Sequence, residues 1–119
     1  MINRNSVRSV GKRRLNRRFK TVDNDYNLAN IPGTILNNFG VKGKEMLRYR
    51  KVLLMVIDGL GYKIFLKHYK RSRLLRQVYN RGVVSKLSTQ FPSTTSVNIT
   101  TLHCALPVIE TGVTEWYYY

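Results

Sequence analysis

The chain has 119 residues with 21 Lys and Arg against 6 Asp and Glu, a formal net charge of +15, and 43% apolar residues, which is one ordinary domain at most. Eight Gly, three Pro and one Cys exclude a collagen-like repeat, a Pro/Gly low-complexity chain and an intramolecular disulfide framework. No stretch approaches the roughly 18 consecutive apolar residues of a membrane span, and no signal-like apolar run follows the basic start, so a soluble, cytoplasmic chain without membrane contact is expected.

The charge is concentrated at the N-terminus. Residues 1–20 carry Arg4, Arg8, Lys12, Arg13, Arg14, Arg17, Arg18 and Lys20 and no acid. Such a run repels itself and has too little apolar area to offset backbone ordering, so residues 1–22 are expected to form a disordered, solvated arm. The functional alternative is a nucleic-acid arm, with Arg13, Arg14, Arg17 and Arg18 as its centre, because clustered Lys and Arg displace counterions from phosphates whatever the base sequence. Phe19 is the arm's one aromatic, so it offers charge without a base-stacking platform.

Residues 23–119 read as a second, folded region. In its first part, Pro32 suits a first helical turn and Gly40 a stop, which predicts a short helix at about 32–39. Val52 to Ile57 is a continuous apolar run between Lys51 and Asp58-Gly59, the pattern of a strand buried on both faces of a parallel sheet. Tyr62, Phe65, Leu66 and Tyr69 then recur at helical spacing. Leu74, Leu75, Val78 and Tyr79 predict a second short helix, closed by Gly82 as its C′ residue. Val83, Val84 and Leu87 suggest another strand, so the order is strand, helices, strand, helix: a right-handed βαβ unit of an α/β protein. After Lys86 there is no Lys or Arg, and Thr, Ser and Asn take their place.

Two constellations could carry chemistry. Asp58 follows the first strand directly, at the carboxyl edge where open α/β sheets bind ligands, and Gly59 and Gly61 allow a tight turn. There it is either a metal ligand or the Asx-turn or N-cap residue of the next helix. The second constellation is Phe91 to Leu102, in which Pro92 fits a turn and the hydroxyl residues fit the N-cap and first turn of a helix running to about Leu106. It is either an ordinary capped helix or a phosphate-holding helix N-terminus with Thr95 in its first turn. His103, about 12 Å farther along that helix at ~1.5 Å per residue, is a poor ligand for an ion held by Thr95.

Val52–Gly61, Phe91–Ser96, Leu106-Pro107 and Glu110–Val113, with Asn30–Leu36 upstream, resemble the start of the type I phosphodiesterase/nucleotide pyrophosphatase family of the alkaline phosphatase superfamily. The resemblance covers about residues 26–119. It implies that Asp58 is the first metal-binding aspartate and that Thr95 is both nucleophile and metal ligand, transiently phosphorylated. It also implies two divalent metal ions, commonly zinc, and a phosphate-ester or nucleotide substrate. The family's further Asp and His ligands lie downstream of the matching segment, and Thr114-Glu115-Trp116 stands where nucleotide pyrophosphatases place a phosphate-contacting Asn. The expectation is therefore an N-terminal, nucleophile-bearing fragment with an incomplete parallel-sheet, alkaline-phosphatase-like sandwich. Such a fragment would be inactive alone and could be complemented by a downstream chain. The competing class is a small basic nucleic-acid-binding protein working through the arm.

Overall fold

The structure, a computed structural model, describes residues 1–12, 24–39 and 49–117. They fall into two compact units, one of Met1–Tyr26 with Ile57–Ser88 and one of Asn27–Val56 with Thr89–Tyr119.

The first unit contains helices α1 (Arg4–Lys12), α3 (Tyr62–His68) and α4 (Arg73–Arg81). Residues 1–12, expected as part of a solvated arm, instead pair with the segment after α4, while residues 13–22 lie outside the described residues. Ile2 and Val84 form a parallel bridge, with Asn3 N donating to Val84 O at 2.9 Å and Val84 N to Met1 O at 2.9 Å. Asn3 then starts α1, because its Oδ1 accepts from the N–H groups of Asn5 and Ser6, two of the donors a helix start leaves without an intrahelical partner. The buried Ser6 hydroxyl accepts from Lys86 N at 2.9 Å and donates to Asn3 O at 2.7 Å. The net charge misled because Val10, buried one helical turn after Ser6, supplies an anchor that charge does not register.

Helices α3 and α4 form where the two stripes predict them, but Leu66, Leu74 and Val78 of those stripes are exposed. Phe65 is buried, Tyr69 stacks on it with centroids 6.0 Å apart, and Tyr79 of α4 meets Tyr69 at 4.4 Å. Ser72 caps α4, accepting from Leu75 N at 3.3 Å. Gly82 does end α4, as its C-cap in an extended conformation with φ −122°. Its glycine identity answers to space, since a Cβ there would stand 3.0 Å from Val78 O.

The second unit holds α2 (Asn30–Asn38), α5 (Thr95–Cys104) and α6 (Val108–Thr111), with α5 packed against both others. Helix α2 begins two residues before the predicted start. Val97 and Thr101, one turn apart on α5, are its most deeply buried side chains.

The predicted sheet is not formed among the described residues. Val52–Ile57 has neither helix nor ladder and is exposed along its whole length, Leu53 to 84%. The second predicted strand reduces to the single bridge at Val84. A strand buried on both faces needs neighbours on both edges and cover on both sides, and the described residues supply neither to Val52–Ile57. The helical crossover of the expected βαβ unit is present, while the described residues form helices and loops without the sheet of the expected sandwich.

Candidate active site

Asp58 sits in a turn at the start of the first unit's second segment. Leu60 N donates to Ile57 O at 3.4 Å, Gly61 N to Gly59 O at 3.0 Å, and Gly59 N to Asp58 Oδ1 at 2.9 Å. Gly59 has φ +72°, a conformation that costs an L side chain roughly 1–2 kcal/mol, so glycine is what lets the backbone turn immediately after the aspartate. The N-cap of α3 is Gly61, not Asp58. The capping alternative is thereby removed, and the exposed carboxylate serves the local turn through one oxygen.

Thr95 is the first residue of α5 and is exposed, with Thr94 as N-cap, as the hydroxyl pattern predicts. Thr94 does not cap through its side chain; its hydroxyl pairs with that of Ser96 at 3.1 Å. A helix start leaves its first backbone N–H groups without intrahelical acceptors and carries a partial positive charge, which favours an anion beside Thr95. The helix ends at Cys104, two residues before the predicted end, with Ala105 in the left-handed region at φ 58°. His103 is exposed near that far end.

The loop in front of Thr95 is fixed by two residues that the sequence pattern does not single out. Asn98 donates from Nδ2 to Thr94 O at 2.8 Å and accepts at Oδ1 from Gln90 N at 3.2 Å. It thereby closes the turn containing the cis Phe91-Pro92 peptide. The buried Gln90 accepts at Oε1 from Val108 N at 3.2 Å, which fixes the first residue of α6. Ser93 donates to Thr89 Oγ1 at 3.0 Å across the same loop. The available signal was an Asn four residues after the N-cap, one helical turn on and so on the same face.

Asp58 belongs to the first unit and Thr95 to the second, and each is placed within its own unit. Arg13, Arg14, Arg17 and Arg18 lie outside the described residues. Among the described residues no three His, Cys, Asp or Glu side chains group closely enough to hold a metal ion. Asp58 and Thr95 carry three side-chain oxygens in all, fewer than the four or more ligands that zinc, magnesium or calcium takes, so these residues do not by themselves fit a metal centre. No helix among the described residues is long and apolar enough to cross a membrane.

A family model described as type I phosphodiesterase / nucleotide pyrophosphatase matches residues 52–119, a span that opens on the apolar run and contains both Asp58 and Thr95. No curated protein and no solved structure matches the chain.

Proposed function

The chain belongs to the type I phosphodiesterase / nucleotide pyrophosphatase family, and from that premise we propose that it carries the nucleophile of a phosphoric ester hydrolase. The observation that carries the proposal is Thr95, exposed at the first position of α5 inside the matched span. In this reading the Thr95 oxygen attacks phosphorus, and the proton it gives up passes through water to the leaving oxygen. The bond from phosphorus to the ester oxygen breaks, and the leaving alcohol or phosphate takes the electron pair. Water then cleaves the phospho-threonine and restores the hydroxyl. The helix N-terminus favours the negative charge of the bound phosphate, and Asn98 and Gln90 hold the loop that delivers Thr95.

The family's metal dependence is part of the proposal for a completed site, in which Asp58 is one ligand among several. Because the described residues bring too few donors together, the 119-residue protein alone is expected to be inactive. The same completion would give Val52–Ile57 its place as a central strand of an alkaline-phosphatase-like parallel sheet, covered on both faces.

The test is a chimaera in which residues 52–119 replace the aligned segment of an active family member, assayed on a chromogenic phosphodiester. It should hydrolyse the ester. Thr95→Ala should lower the rate by roughly 10³-fold or more, and Thr95→Ser should retain most of it. A chimaera whose Thr95→Ala variant keeps its rate would refute the assignment.

A further inference from the structure

The first unit holds sixteen of the 21 basic residues and three of the six acidic ones, whereas the second holds five and three. Between Asp58 and Glu110 there is no carboxylate side chain at all. Into this interval fall α3 and α4 with the exposed side chains of Lys63, Lys67, Lys70, Arg73, Arg76 and Arg81. Lys63 and Lys67 are spaced i, i+4 and Arg73 and Arg76 i, i+3, so like charges are neighbours on each helix surface and weaken it. An anionic partner would turn that repulsion into attraction.

We propose that the outward faces of α3 and α4 dock nucleic acid through its phosphate backbone. The packing favours nucleic acid over a lipid surface. A helix lying on a bilayer turns its apolar face into the lipid. Around α3 and α4 the half-buried Tyr69 stacks on the buried Phe65 and meets the half-buried Tyr79 at a tilt. On the exposed surface Lys63, Lys67, Arg73, Arg76 and Arg81 stand among the part-exposed aliphatic side chains of Ile64, Leu66, Leu74 and Val78, with no carboxylate to offset them, while the aromatic rings pack on one another. The stacked rings are also not free to receive bases, so binding rests on phosphates and is independent of sequence.

The test uses the full 119-residue protein and a fluorescently labelled, mixed-sequence single-stranded DNA of about 20 nucleotides, read by anisotropy across a salt series. A quadruple variant, Lys63→Ala, Lys67→Ala, Arg73→Ala and Arg76→Ala, should bind about tenfold or more weakly at low salt. The slope of log affinity against log salt should become shallower by ~0.7 for each phosphate no longer neutralised. The charge-keeping variant Lys63→Arg, Lys67→Arg, Arg73→Lys and Arg76→Lys should bind as the parent does, which separates charge from misfolding. Arg13→Ala, Arg14→Ala, Arg17→Ala and Arg18→Ala together should leave the contribution of α3 and α4 in place. An alanine variant that binds with the parent's affinity and slope would overturn the proposal. So would loss of all binding in the arm variant alone, or binding to phosphatidylserine vesicles without binding to the DNA.

Discussion

Val52–Ile57 is wholly apolar and lies exposed, whereas Thr94–Thr101, with five hydroxyl residues in eight, includes the most deeply buried side chains of its unit. The difference lies in where each segment finds its partners. A helix closes its backbone hydrogen bonds within itself, and the α5 segment adds Asn98 and the pair Thr94–Ser96, so its polar groups are met within a few residues. An extended run must borrow its hydrogen bonds and its cover from distant chain. Burial therefore follows availability of partners before it follows polarity.

Three substitutions sharpen that contrast. Val97→Ala, at a side chain 1% exposed, should cost about 2 kcal/mol in denaturant unfolding, because removing the methyl groups leaves a cavity against α5's neighbours. A cost below a few tenths would mean that α5 is not packed as described. Thr101→Val removes a buried hydroxyl that has no hydrogen-bond partner among the described residues, and should gain about 1 kcal/mol; a loss of similar size would show that the hydroxyl is bonded in solution. Leu54→Asp, in the exposed run, should shift the stability of this chain by no more than about 0.5 kcal/mol. In the chimaera the same substitution should abolish folding, since a sheet strand buried on both faces cannot take an unpaired carboxylate. Equal tolerance in both settings would argue that the run is never a strand.

The sequence made the helices legible and the sheet illegible for one physical reason. Tyr62, Phe65 and Tyr69 announce α3 by their own spacing, and the hydroxyl cluster ahead of Val97 announces the start of α5, because helical signals lie within a turn or two. The apolar pattern of Val52–Ile57 announces only a demand for neighbours, which the described residues do not meet. Helix α1 went unread because eight cations in twenty residues outweighed the anchors Asn3, Ser6 and Val10, and the partners of Asn3 and Ser6 are about 80 residues away in sequence. At the candidate site, the turn at Asp58 and the helix start at Thr95 were legible from motif and turn chemistry. Asn98 and Gln90 were not, since a polar side chain's role in bracing a loop shows only once the loop is folded.

The most direct measurement is acid quenching of the chimaera during turnover, followed by mass spectrometry of the peptide that contains Thr95. Phosphate on Thr95, absent from the Thr95→Ala variant, is the predicted result. Sustained hydrolysis with the phosphate on another residue, or continued turnover by the Thr95→Ala variant, would contradict the assignment of Thr95 as the nucleophile.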